Sequence, residues 1–232
     1  LQQAESNISR MNELARFEIA SAYVNDVGLD ARNLKSPKGW GGSSSVPLGS
    51  KSIDLIITSP PYAGAQKYIR ASSLSLGWLG LAGSSGLKSL ENKNIGREHL
   101  PKSVWETKIS TSVDAANDVI ERVRIVNPLR AAIAATYLNE MEQCLHEMSR
   151  VLVDNGHLVL VIGNNEVCGE KFLSSEYLTK IAEGCGLVPI LKAVDEIKSR
   201  GLMTKRNKTA GVISLEWVIV FRKEPSKDEY GR

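Results

Sequence analysis

Ile53-Asp54-Leu55-Ile56-Ile57-Thr58-Ser59-Pro60-Pro61-Tyr62 is a short apolar run halted by two prolines and an aromatic ring. Leu55, Ile56 and Ile57 read as a strand buried on both faces. A proline pair cannot continue a central strand, because proline has no N–H for the ladder, so the strand is expected to end at Ser59. Each residue before a proline is pushed to extended geometry, which holds Ser59 and Pro60 out of the helical region and turns their carbonyls off the strand end. A rigid group of acceptors beside Tyr62 results. Such a group suits a flat heterocycle carrying an exocyclic amine: the Ser59 hydroxyl and the Ser59 and Pro60 carbonyls accept the amine hydrogens, and the Tyr62 ring stacks on the face of the base. The plainer reading, a proline-rich turn with a packed tyrosine, stays open at this stage.

In its setting at the end of an Ile/Leu-rich strand, Ser59-Pro60-Pro61-Tyr62 resembles the catalytic motif of S-adenosylmethionine-dependent DNA amino-methyltransferases, which act on N4 of cytosine or N6 of adenine. The resemblance implies Ser59, Pro60, Pro61 and Tyr62 as catalytic residues, and a serine in the first position leans towards N4 of cytosine. Upstream, Val27-Gly28-Leu29-Asp30-Ala31-Arg32-Asn33-Leu34 is similar to the family's "DAR" segment, which implies Asp30 near the adenine end of the cofactor. A turn-forming or helix-capping role for Asp30 is an equal alternative. Thr58, at the end of the same strand, and Gly163 and Asn164, at the end of a later one, are further candidate cofactor contacts. The fold that the resemblance implies is α/β, a Rossmann-like class I methyltransferase sheet, mostly parallel and closed by a C-terminal antiparallel β-hairpin.

The 232 residues are 42% hydrophobic and 24% charged, a globular balance with room for one large domain and an insertion. A formal net charge of +3 does not by itself mark a nucleic-acid binder, so any such surface must come from local clustering. Cys144, Cys168 and Cys185 are odd in number and lack metal spacing, so no metal site is expected. None sits in the Pro-Cys setting that C5-cytosine methylation needs for its nucleophile. With no signal peptide or apolar span, the chain is expected in a reducing, cytoplasmic setting, bacterial or archaeal by the resemblance.

Ile8, Met11, Leu14, Ala15, Ile19 and Ala22 predict a helix over 5–24, and the segment 27–34 a short strand. Residues 35–52, rich in Ser, Gly and Pro, read as a surface loop. The stretch 63–127 is too long for an ordinary strand-to-helix connection and is expected to be an inserted target-recognition region. It divides a core made of 1–62 and 128–223, with 224–232 a frayed tail. Within it, Gln66-Lys67-Tyr68-Ile69-Arg70 leads into an apolar helix, and Lys88, Lys93, Arg97, Lys102 and Lys108 lie among Asn92, Asn94, His99 and Trp105. Lys67 and Arg70 are candidate DNA contacts; an ordinary solvated surface is the alternative.

Pro128 opens a long helix whose apolar stripe runs from Leu129 to Leu152, with Cys144 and Met148 as packing residues and His146 outside any metal set. Asp154-Asn155-Gly156 turns the chain into a buried strand over 157–163. Its end, Gly163-Asn164-Asn165, is expected beside the end of the catalytic strand, where ligands of open α/β sheets collect. There Asn164 either touches substrate or makes a turn. Phe172, Tyr177, Leu178 and Ile181 predict a helix stopped by Gly184 and Gly186. Strands over 187–197 and 212–222 follow, joined without a helix and therefore antiparallel. The basic segment 198–208 between them supplies Arg200, Lys205, Arg206 and Lys208 as candidate phosphate contacts.

No segment supplies the strand with a Phe-x-Gly-x-Gly turn, or the acidic residue for the ribose, on which the resembled family binds S-adenosyl-L-methionine. The expectation is a sheet without its first strands. The glycine-rich half would then come from a preceding segment or a partner chain, as part of a split or multi-chain enzyme of a restriction-modification or related system. Double-stranded DNA is the expected substrate, its target base flipped and methylated directly without a covalent enzyme intermediate. A noncatalytic DNA-binding subunit, or an amine methyltransferase for RNA or protein, are the alternatives.

Overall fold

The structure, a computed structural model of the chain, describes residues 5, 8–9, 12–13, 30–37, 45–63, 68–82, 86–197 and 213–225. Of the helix predicted over 5–24, Glu5, Ile8, Ser9, Asn12 and Glu13 are described, and all five are helical. Lys67, the basic segment 198–208 with Arg200, Lys205, Arg206 and Lys208, and the chain beyond 225 lie outside the described residues.

The stretch expected as loop, 35–52, contains two short antiparallel strands, β1 (Lys35–Pro37) and β2 (Ser45–Pro47). Residues 30–33, placed in a predicted strand, form a turn instead: Asn33 N–H donates to the Asp30 carbonyl at 3.0 Å, and Arg32 N–H to Asp30 Oδ1 at 3.0 Å. Aspartate makes this turn readily because its short carboxylate reaches the backbone two residues on.

The strand that ends before Ser59-Pro60-Pro61-Tyr62 is β3 (Ile53–Thr58), followed among the described residues by four short helices, α1 (Tyr68–Ala71), α2 (Ser73–Trp78), α3 (Gly86–Lys93) and α4 (Lys102–Trp105). Next is α5 (Asp114–Val126), inside the predicted insertion; its Ala116, Val119, Ile120 and Val123 are buried in the same core as the long helix α6 (Pro128–Val151). The start of α6 is set locally. Asn127 accepts from Arg130 N–H at 3.1 Å and Pro128 occupies the first turn, where its missing N–H costs nothing. Helix α6 runs directly into β4 (Leu152–Gly163), with Leu152 already extended at φ −65°, ψ 139°.

A hairpin follows, β5 (Asn165–Val167) paired with β6 (Glu170–Phe172) through Cys168 and Gly169. It displaces Phe172 from the helix in which the sequence pattern placed it; α7 spans Ser174–Gly184. As predicted, the chain turns at glycine, with Gly186 at φ 77° before β7 (Leu187–Glu196). The last strand is β8 (Leu215–Lys223), antiparallel to β7.

The sheet order is β3-β4-β8-β7. The pair β3–β4 is parallel, and β4–β8 and β8–β7 are antiparallel, so the described sheet is mixed and ends in the expected antiparallel pair. Its parallel side is the β3 edge, which has no neighbour among the described residues beyond β4. Asp154-Asn155-Gly156, expected as a turn ahead of a strand over 157–163, is instead a bulge inside β4, which already pairs at Leu152 opposite Ile53; Asn155 lies at φ 63°, and regular pairing with β3 resumes at His157 opposite Leu55. Lys51 N–H and Ser52 N–H donate to the carbonyls of Arg150 and Val151 at 3.0 and 2.8 Å, which fixes the entry of β3 against the end of α6.

Leu158, Leu160, Ile162, Ile219 and Phe221 are fully buried in one core with α6 and α7. Each contributes about 1.5–3 kcal/mol relative to an exposed side chain. The expectation that β3 is covered on both faces is corrected here: Ile56 packs against the core, but Leu55 and Ile57 are 51% and 69% exposed. Alternate residues of a strand point to opposite faces, and no described element covers the second one at β3. Cys144 and Met148 are core residues as expected, and His146 is exposed. Among the described residues there is no metal-type cluster and no helix long and apolar enough to cross a membrane.

The β1–β2 pair is tied to α6 through Glu147, which accepts from Leu34 N–H at 2.9 Å and from Arg150 at 2.7 Å, while Arg150 also donates to the Leu48 carbonyl at 2.7 Å. Arg150, and then the Leu34 N–H, hold the Glu147 carboxyl below its ordinary value of 4.5. A depressed carboxylate contributes stability that is fully present above its unfolded pKa and is lost as pH falls through the lower, folded one. Glu147→Gln is therefore expected to lower stability at neutral pH and flatten its decline below about pH 4.5. Urea unfolding of both proteins between pH 7 and 3 checks this, and parallel pH profiles contradict it.

Candidate active site

The motif sits where the strand ends. Ser59 is exposed, Pro60 buried and Pro61 half-buried, so the serine faces outward from a fixed proline wedge. Thr58 is the last residue of β3 in register with β4, opposite Leu160. Tyr62, the residue after the prolines, is held at both ends. Its backbone N–H donates to the Tyr68 hydroxyl at 3.1 Å, and its own hydroxyl donates to Glu216 Oε1.

Gly163 has a visible reason to be glycine. An added Cβ would stand 3.4 Å from the end of the Tyr62 ring and 2.7 Å from the Ile213 side chain. The tight neighbour is thus Ile213, while the Tyr62 ring passes the strand end at contact distance on its way to Glu216 on β8. Burial, followed by the Glu216 hydrogen bond and charge, pushes the Tyr62 phenol well above the ordinary tyrosine value of 10.0, so it stays a protonated donor at neutral pH.

Asn164 Oδ1 accepts from Ser175 N–H at 2.8 Å in the first turn of α7, so this oxygen is engaged by a helix eleven residues on and not by a local turn. Its neighbour Asn165 is the residue that reaches across, donating from Nδ2 to the Ala63 carbonyl at 3.1 Å. Asp30 is exposed, but Arg32 occupies both of its carboxylate oxygens: Nε donates to Oδ1 and Nη2 to Oδ2, each at 2.9 Å. That arrangement holds the Asp30 carboxyl below its ordinary value.

Arg32 also joins a second network. Its Nη1 donates to Glu140 Oε1 at 2.8 Å, and Arg97 Nη2 donates to the same oxygen at 2.7 Å. One buried carboxylate on α6 therefore ties the Asp30 turn and the segment after α3 to the core. Beside this segment lies a cleft of about 430 Å³, lined by Tyr68, Arg70, Lys88, Asn92, Asn94 and His99 among others and by none of residues 59–62. Arg70 lines this cleft, which is linked to the motif through Tyr68, the residue that accepts from Tyr62 N–H.

Tyr68, Gly96, Glu140, Asn165 and Glu216 are the residues around the motif that sequence reasoning gave no role. Gly96 carried a signal of its type, since a glycine in a polar loop often marks φ above zero. It lies at φ 77°, and an added Cβ would be 2.8 Å from the Tyr62 carbonyl oxygen and 3.2 Å from Pro61 Cβ. Glu216 carried none, standing 154 residues from its partner in an ordinary strand pattern.

No protein-family model matches the chain, and no curated protein matches it. Among solved structures, a "Putative DNA Modification Methylase" of Thermus thermophilus aligns at 16% identity and TM-score 0.37 over 78% of this chain and 52% of that one. A second structure of that protein, complexed with S-adenosyl-L-methionine, aligns at 15% identity and TM-score 0.38 over 78% and 51%. A SAM-dependent methyltransferase of Methanosarcina mazei aligns at 12% identity and TM-score 0.30 over 77% of this chain and 96% of that one. The chain thus spans about half the length of the Thermus thermophilus protein.

Gly96 and Gly77, the latter inside α2, predict opposite outcomes. Gly96→Ala is expected to cost about 1–3 kcal/mol, because it forces an L residue to positive φ and against the motif backbone. Gly77→Ala meets nothing within 4 Å inside α2 and should stabilise by up to about 1 kcal/mol. Thermal and urea melts read both; equal effects would remove Gly96 from the support of the motif.

For the Glu140 network, Glu140→Ala should cost about 2 kcal/mol. That is less than the roughly 3–5 kcal/mol of a fully stranded buried pair, since Arg32 keeps Asp30 and Arg97 keeps the Asn94 carbonyl at 3.0 Å. Hydrogen exchange at residues 30–34 and 94–97 should rise in this variant, and unchanged protection there would contradict the tie.

Proposed function

We propose that this chain carries the target-base half of an S-adenosyl-L-methionine-dependent methyltransferase acting on an exocyclic amine of a flipped base in double-stranded DNA, N4 of cytosine in preference to N6 of adenine. The observation that carries the reading is the geometry of Ser59-Pro60-Pro61-Tyr62. An exposed serine and a fixed proline wedge at a strand end stand beside an aromatic ring held by its backbone to Tyr68 and by its hydroxyl to Glu216. A base entering there is stacked on Tyr62, and its amine hydrogens are accepted by the Ser59 hydroxyl and the Ser59 and Pro60 carbonyls. The amine lone pair is thereby left facing the electrophile, and positioning does most of the catalytic work. Ser59 in the first place favours the cytosine amine. Arg70 and the cleft beside it, with Lys67, Arg200, Lys205, Arg206 and Lys208, are the proposed phosphate contacts.

The cofactor would supply an activated methyl group. The described residues do not by themselves fit it. Asp30 has both oxygens on Arg32, Asn164 caps α7, and the space over Gly163 is filled by Tyr62 and Ile213. The edge of β3 and the exposed Leu55 and Ile57 beside it support a neighbouring glycine-rich strand unit, from the same polypeptide or a partner, that extends the sheet there. Such an extension would place the β3 end inside an open α/β sheet, where ligands of this architecture bind.

Calorimetry with S-adenosyl-L-methionine tests the division of labour: residues 1–232 as a confirmed monomer should bind weakly, and addition of the glycine-rich unit should restore tight binding. Stoichiometric tight binding by the monomer would overturn it. In the complete protein, Tyr62→Ala should reduce methyl transfer at limiting DNA by about 5-fold to more than 100-fold, the equivalent of about 1–3 kcal/mol of lost stacking. An unchanged rate would remove Tyr62 from the site.

A further inference from the structure

We propose that Glu216 is a positioning residue for the reaction: its carboxylate accepts the Tyr62 hydroxyl and so fixes the plane of the ring on which the target base stacks. The inference rests on the function proposed above and adds to it a residue from the far side of the sheet. Glu216 stands opposite Gly163 in the β4–β8 register, one strand beyond the end of β4 and two beyond β3. The ring passes the end of β4 alongside Gly163, where an added Cβ would lie 3.4 Å from Tyr62 Cζ and 2.7 Å from the Ile213 side chain. Ends of three adjacent strands therefore converge on one side chain, which follows β3, crosses β4 and bonds β8.

The consequence for stacking is geometric. A tyrosine ring has two side-chain torsions, and a ring tethered only at its backbone samples several orientations. Here the backbone is anchored by the Tyr68 hydroxyl and the phenol by Glu216, so both ends of the lever are held. A hydrogen bond to an ionised acceptor is about twice as strong as a neutral one. A platform held in this way presents the base amine in one orientation before the base arrives, where small misplacements of reacting groups cost large factors in rate. Glu216 acts through Tyr62 and needs no contact with the base.

The test is a cycle of variants in the complete, cofactor-binding protein. Tyr62→Phe keeps the ring and removes the hydroxyl, and Glu216→Ala removes the acceptor. Each should lower kcat/KM for DNA by a similar factor, on the order of tenfold. The double variant should be no worse than either, and the affinity for S-adenosyl-L-methionine should not move. Glu216→Gln, which still accepts a hydrogen bond, should recover to within about threefold of wild type. Multiplying losses in the double variant, or a wild-type rate in Glu216→Ala with the fold intact, would overturn the proposal.

A second readout is independent of activity. Ultraviolet titration of the phenol, assigned by difference from Tyr62→Phe, should show Tyr62 ionising at lower pH in Glu216→Ala than in wild type. If wild type itself transfers no methyl group to DNA, the proposed function fails and this proposal with it, whereas an unmoved Tyr62 titration beside an active wild type overturns the Glu216 contact alone.

Discussion

A strand that runs into two prolines must stop pairing there, and the position of Tyr62 follows from that constraint. Parallel pairing of β3 with β4 continues through Thr58 opposite Leu160, and the chain then leaves the ladder at Ser59 with its next carbonyls unclaimed by a neighbouring strand. Because β4 runs on past this point and finishes on Gly163, the ring after the prolines settles across its tip. The hydrogen bonds of Lys51 and Ser52 to the end of α6 matter for the same reason, since they set how far along β4 the motif emerges.

Around this point polar groups hold the loops in place. Glu140 and Glu147, both on α6, fasten the Asp30 turn, the β1–β2 pair and the segment after α3 to the helix. Both carboxylates lie on the helix that forms the core, so loops that carry candidate site residues are tied to the most buried element of the chain. Gly96 belongs to the same arrangement, because its backbone passes so close to the Tyr62 carbonyl that no side chain fits between them.

Local signals in the sequence were legible where a single residue type forces the backbone. Pro60 and Pro61 end β3, Pro128 starts α6 and Gly186 turns the chain into β7, whereas Asn155-Gly156, read as a turn ahead of a strand, is a bulge within β4. The partnership of Tyr62 with Glu216 was not, because 154 residues separate them and only the strand order β3-β4-β8 brings them together. The exposure of Leu55 and Ile57 was misread for a related reason: three consecutive apolar residues specify a strand, but which faces are covered depends on elements elsewhere. The β1–β2 and β5–β6 pairs were missed because three-residue strands carry too little periodicity to separate them from a loop or, at Phe172, from the helix that follows. At Asp30 the carboxylate that resembled a cofactor contact closes its own turn with Arg32.

The central claim is chemical, that an exocyclic amine held by Ser59 and Pro60 against Tyr62 accepts a methyl group. It is tested most directly by incubating DNA with the complete protein and methyl-labelled S-adenosyl-L-methionine, digesting the DNA to nucleosides and identifying the labelled product by mass spectrometry. The account predicts label in N4-methylcytosine. Label in 5-methylcytosine, or DNA left unlabelled by a protein that binds the cofactor, would contradict it.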